Sequence, residues 1–170
     1  CLKSNPNKKA KFFIIPRETG LFKGQSPIII DAPDGFVFHH VNAYEKDSNI
    51  ILDSIFYDDF PSVGPDENFR DIDFDKYPEG NLKRSIIDLK LKTSKLETLS
   101  SQCCEFATVN PKLLGLKASY SWMACTDKKI GNAPLQAIKK INLITKEEIS
   151  WSAAPLSLIH ISEPTRQSKI

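Results

Sequence analysis

The chain has 170 residues, of which 41% are hydrophobic and 26% charged, with a net charge of +2. That length fits one domain, and nothing in so even a charge balance suggests the clustered basic face that nucleic-acid binding requires. No run of 18 apolar residues is present, so no transmembrane helix is predicted. The chain opens at Cys1 rather than at methionine, so the lack of a secretory signal carries no information about compartment.

In chain order, residues 1–10 are polar and lysine-rich and read as a loop. Lys11 to Ile15 is a short β-run ending at Pro16-Arg17, and Gly20 and Gly24 mark turns. Pro27 to Asp31 reads as a strand, and Pro33-Asp34-Gly35 as a tight turn. Gly35 to Glu45 then reads as a buried strand, because Phe36, Val37, Phe38, Val41 and Ala43 are apolar and no charge appears before Glu45.

That strand carries His39 and His40. Buried imidazoles need partners, since an unpaired polar group there costs about 1–3 kcal/mol. They read either as core histidines bonded to backbone carbonyls or as a metal-binding or catalytic pair. Strand alternation puts His39 on a face with Val37 and Val41, and His40 on the other with Phe38 and Asn42. Both cannot close on one ion, and alternation alone does not choose between them.

Glu45 to Asn49 is a polar turn, and Ile50 to Tyr57 returns as a strand, making a hairpin. Residues 58–80 are acidic and broken by Pro61, Pro65 and Pro78. Asp71, Asp73 and Asp75 alternate there, but the glycine and terminal glutamate of a calcium loop are absent at the required spacing, so a solvated edge or loop is predicted. Leu82 to Leu91, Lys95 to Leu99, Cys104 to Val109, Ala118 to Ala124 and Leu135 to Leu143 follow as strands. Lys92-Thr93-Ser94 and Thr145-Lys146-Glu147 punctuate them as polar turns. Cys103-Cys104 is vicinal and fits no zinc spacing, so Cys103, Cys104 and Cys125 read as reduced core thiols of a cytosolic protein. Glu105, between Cys104 and Phe106, reads either as a buried carboxylate that needs a partner or as a glutamate on an exposed face.

The fold class is all-β. Many short strands mean a sandwich, a barrel or propeller blades, and periodicity does not choose among them. No 40–50-residue repeat of kelch or WD type is found, and Trp122 and Trp151 stand alone.

Several motifs occur in one order between residues 11 and 152. They are Phe38-His39-His40-Val41-Asn42-Ala43-Tyr44-Glu45 with Ile50-Ile51-Leu52-Asp53; Cys104-Glu105-Phe106 with Val109-Asn110-Pro111, Gly115 and Tyr120; and Gly131-Asn132-Ala133-Pro134-Leu135-Gln136-Ala137-Ile138 with Lys140. Together they resemble the carotenoid cleavage oxygenase (retinal pigment epithelial membrane protein) family, and the last is most like the cyanobacterial-type apocarotenoid oxygenases.

The resemblance implies a partial seven-bladed β-propeller of two to three blades. It implies one non-haem Fe(2+) held by four histidines, a metal for which imidazole is a suitable ligand. His39 is the implied metal ligand, because relatives keep only the first histidine of the pair. Glu105 is the implied acceptor of its second ring N–H, and Phe38 and Phe106 the implied lining of an apolar substrate tunnel. The implied reaction is O2-dependent cleavage of a carbon–carbon double bond in a carotenoid or apocarotenoid, needing no protein acid, base or nucleophile. With only His39 matched, the chain is expected to be an inactive internal fragment of a cytoplasmic enzyme, with peripheral membrane contact through other segments. The competing reading is a non-catalytic propeller module with structural histidines; a small zinc or calcium binder lacks further ligands.

Leu156 to Arg166 matches a translated transposase-type sequencing adapter. Residues 1–155 are therefore expected to be the propeller fragment and 156–170 a non-native tail, so that His160 and Glu163 are excluded from the site.

Overall fold

The computed structural model describes residues 8–17, 24–61, 76–127 and 135–152. Within them the chain forms ten strands and one 3-10 turn at Pro111–Leu113. The expectations for Asp71, Asp73 and Asp75, for Gly131 to Pro134, and for the tail from Leu156 fall outside the described residues.

Strands β1 (Lys11–Ile14) and β2 (Ile28–Asp31) form a two-stranded antiparallel sheet. Strands β3 (Phe36–Lys46), β4 (Asn49–Tyr57), β5 (Asn81–Asp88) and β6 (Thr93–Ser100) form a four-stranded antiparallel sheet in chain order. Strands β7 (Cys104–Thr108), β8 (Tyr120–Thr126), β9 (Leu135–Asn142) and β10 (Glu148–Ser152) form a second. Each four-stranded meander is the unit from which propeller blades are built.

Local chemistry sets the turns. β3 and β4 are joined by Asp47-Ser48 alone, with Asp47 at φ 55. Aspartate tolerates that left-handed conformation, and it matches the twist of a two-residue hairpin. The next turn lies at Leu89–Lys92, earlier than the sequence pattern predicts. Asp88 caps it, accepting from the backbone N–H groups of Lys90 and Leu91, both at 2.8 Å. Leu91 therefore leaves the strand, and Thr93 and Ser94 enter β6. β10 is a strand the sequence reading lacks. All five of its residues are exposed, and backbone pairing to β9 holds it.

The core lies between the two four-stranded sheets. Val41, Ile55, Tyr57, Leu82 and Leu99 from the first meet Cys104, Met123, Cys125, Ala137 and Ile141 from the second. A fully buried side chain such as Ile55 contributes about 1.5–3 kcal/mol. Polar ties cross the same boundary. Arg84 on β5 donates to the carbonyl of Leu143 at 3.2 Å, and the buried Lys139 on β9 donates to Ser100 Oγ at 3.0 Å. The Cys104 N–H donates to the Gly80 carbonyl at 2.8 Å. These contacts bring β7 against β3, β4 and β5, so the first strands of the two sheets lie side by side.

Candidate functional site

β3 is not the buried strand that its composition predicts. It is the edge of its sheet among the described strands, and only Val41 and Asn42 in it are buried. Its pairing with β4 slips twice, between Val37 and His39 and between His40 and Asn42. Such bulges reset the alternation of faces. His39 pairs with Ile55, whereas Val37 pairs with Phe56, so the two do not share a face as alternation predicts. Phe38 packs edge-on against Phe36 and Tyr57, with ring centroids 4.6 and 5.4 Å apart, rather than on the side of His40. His40 pairs with Ser54 and Asn42 with Asp53, so these two are also on opposite faces.

The two histidines point to separate surroundings. His40 Nδ1 lies 2.8 Å from Ser54 Oγ, and partial burial lowers its pKa below the ordinary histidine value. His39 turns toward β7, where its Nδ1 is 2.7 Å from Glu105 Oε2. A carboxylate only accepts, so in the neutral imidazole Nδ1 carries the proton and the Nε2 lone pair is free. Nε2 makes no hydrogen bond among the described residues. The His39 side chain is 50% exposed while that of Glu105 is 13% exposed, so the carboxylate is shielded and the imidazole opens outward.

Glu105 is held by three donors. Besides His39, the Tyr57 hydroxyl donates to its Oε1 and the Phe106 N–H donates to Oε2 at 3.1 Å. Burial holds the Tyr57 hydroxyl well above the ordinary phenol range, reinforced by the hydrogen bond to Glu105 and its charge, so the hydroxyl remains a donor. Phe106 adopts φ 56, a left-handed conformation that costs a bulky residue about 1–3 kcal/mol. It sits in the β7 register shift between Glu105 and Thr108, and its ring centroid is 5.5 Å from that of His39. The strain is thus placed where it brings an exposed aromatic ring beside the imidazole. Phe38 and Phe106 are 49% and 67% exposed, and Phe36, Phe60 and Tyr57 extend the aromatic surface around Phe38.

The family described as retinal pigment epithelial membrane protein, the carotenoid oxygenases, matches residues 1–165. The chain belongs to this family. It is 40% identical over 155 residues to the apocarotenoid-15,15'-oxygenase of Synechocystis, covering 91% of this chain and 31% of that enzyme. A cobalt-substituted form of the Synechocystis oxygenase superposes with a TM-score of 0.83 at 39% identity, over 91% of this chain and 31% of that one. A chimera of that oxygenase with RPE65 superposes at 0.81 with 40% identity, over 89% and 30%. The chain thus spans about a third of the length of these carotenoid oxygenases, and its two four-stranded sheets are blades of their β-propeller.

The structure brings His39 and Glu105 together across 66 positions of sequence and sets Phe106 beside His39, while Phe38 packs on Tyr57, the residue that donates to Glu105. It puts His40 elsewhere. Among the described residues no group of three or more His, Cys, Asp or Glu side chains converges as a metal site. Sequence reasoning missed Tyr57, which it treats only as the end of an apolar strand. The available signal was its hydroxyl, because a buried tyrosine O–H needs a partner.

Proposed function

We propose that this chain is part of an iron(II) dioxygenase that cleaves a carbon–carbon double bond of a carotenoid or apocarotenoid into two carbonyl products with O2. The observation that carries the reading is the His39–Glu105 contact of 2.7 Å with Nε2 left open. A neutral imidazole whose other N–H is held by a carboxylate is the usual form of a histidine ligand, and it suits ferrous iron. The donor chemistry therefore fits the metal, with His39 as one ligand. A single donor is not a site, and no such cluster converges among the described residues; we assign the three further histidines implied by the family resemblance to segments outside them. That assignment agrees with a chain that spans 31% of its relative.

Iron, when bound, supplies the one-electron chemistry that lets O2 react with an alkene. The residues of this chain supply position and surroundings. Glu105 keeps the His39 proton on Nδ1, so Nε2 stays unprotonated. Phe38 and Phe106 offer an apolar wall against which a linear polyene desolvates. No proton transfer is required, because the alkene and O2 supply all the atoms of two carbonyls. The buried thiols Cys103, Cys104 and Cys125 agree with a cytoplasmic location.

The test is a chimera in which residues 11–152 replace the matching third of the Synechocystis oxygenase. Supplied with Fe(II), an apocarotenal and O2, it should release two aldehyde products, and His39→Ala should abolish turnover. The isolated chain should show none. A folded chimera that turns over equally well with alanine at 39 contradicts the proposal.

A further inference from the structure

A hydrogen bond to one histidine does not by itself orient a glutamate. The terminal carboxylate torsion is broad and roughly two-fold, so Glu105 could present either oxygen or swing away. Two of its three donors bind Oε2, and Tyr57 alone among the described residues holds Oε1. We propose that Tyr57, seated on Gly80, is a positioning residue that locks the Glu105 carboxylate against Nδ1 of His39 and so keeps Nε2 as the open nitrogen. The importance of Nε2 rests on the iron reading given above; the geometric role of Tyr57 does not.

The seat of Tyr57 is built for this. The residue closes β4 opposite Phe36, and its ring stands edge-on to Phe38. Gly80 lies directly against the ring. A Cβ at position 80 would come within 2.6 Å of Tyr57 Cζ, 2.7 Å of its hydroxyl oxygen and 2.9 Å of Ile55 Cγ2. Any side chain there displaces the hydroxyl. The carbonyl of this same glycine accepts from the Cys104 N–H at 2.8 Å, one residue before Glu105. Gly80 therefore seats the tyrosine and anchors the start of β7 at once. The path Tyr57, Gly80, Cys104, Glu105 closes on itself, which fixes the hydroxyl relative to the carboxylate it serves.

The test reads the proton position on His39 in the 170-residue chain. With 15N-labelled histidine at alkaline pH, the His39 and His40 signals are assigned apart from that of His160. His39 in the wild-type chain should be wholly in the Nδ1–H form. Tyr57→Phe, which removes one oxygen and keeps the ring, should convert a substantial fraction to the Nε2–H form while leaving His40 unchanged as an internal control. Gly80→Ala, which displaces the hydroxyl without deleting it, should produce the same shift. A merely structural tyrosine would lower the melting temperature and leave the tautomer alone. An unchanged His39 tautomer in a Tyr57→Phe chain with native circular dichroism overturns the proposal. In the chimera, Tyr57→Phe should weaken Fe(II) affinity about 10-fold or more, the usual effect of losing an outer-shell partner. A shifted tautomer together with iron that is indifferent to His39→Ala would uphold the role of Tyr57 and overturn the iron reading.

Discussion

Replacing Asp53 with alanine is expected to destabilise the chain far beyond the effect of an ordinary surface charge change. Asp53 on β4 is 1% exposed, and both of its oxygens accept from Arg84, at 2.7 Å from Nε and 2.9 Å from Nη2. Arg84 is itself only 14% exposed, and its remaining arm reaches the Leu143 carbonyl on the other sheet. Burial alone would lower the guanidinium pKa; the hydrogen bonds to Asp53 and its charge outweigh burial and raise it. Asp53→Ala leaves that cation buried and unpaired, which costs about 3–5 kcal/mol. Replacing both partners by apolar residues of similar volume, Asp53→Leu with Arg84→Met, should recover most of the loss, because such exchanges are often neutral. Urea denaturation followed by circular dichroism gives the stability of the parent chain and of both variants. A loss under about 1 kcal/mol for Asp53→Ala, the range of exposed pairs, would refute the reasoning.

Two other predictions concern the fold. Gly35 has φ 146, and a Cβ there would lie 2.4 Å from Phe56 Cζ and 2.6 Å from the Tyr57 carbonyl oxygen. Gly35→Ala should therefore cost at least about 2 kcal/mol by the same denaturation assay, and a cost under about 0.5 kcal/mol would contradict the geometry. Burial pushes the Cys103 thiol up to about 11 and the Cys104 thiol up to about 12. The unfolded chain then loses these protons first, above about pH 8.5, while the folded chain keeps them. Their contribution to stability is complete below that pH and falls as pH rises toward the folded values. Cys103 and Cys104 should resist alkylation in folded protein at pH 8, and replacing both with alanine should reduce the alkaline loss of stability; rapid labelling of both thiols in folded protein would contradict their burial.

The strand run was legible because apolar and β-branched residues cluster between polar turns, and Ile50 to Tyr57 is the clearest case. Strand ends were less so. The apolar Leu89 and Leu91 extend the pattern of β5 into a turn whose cap, Asp88, shows its partners only in three dimensions. β10 left no signal because burial does not act on it. The faces of β3 were misread for a physical reason. The run from Phe36 to Val41 is apolar on both sides of the histidines, and neither bulge marks itself with glycine. His39 and Glu105 were legible through family motifs, whereas spacing could not join residues 66 apart. Tyr57 was hidden because its ring satisfies the hydrophobic pattern of β4 and only its oxygen does something else.

Iron content of the chimera, measured after equilibrium dialysis against Fe(II), tests the central claim most directly. Close to one iron per chain is expected for the parent chimera and for His40→Ala, and loss of that iron for His39→Ala. Retention of the full iron by a folded His39→Ala chimera, or its loss in His40→Ala alone, would contradict it.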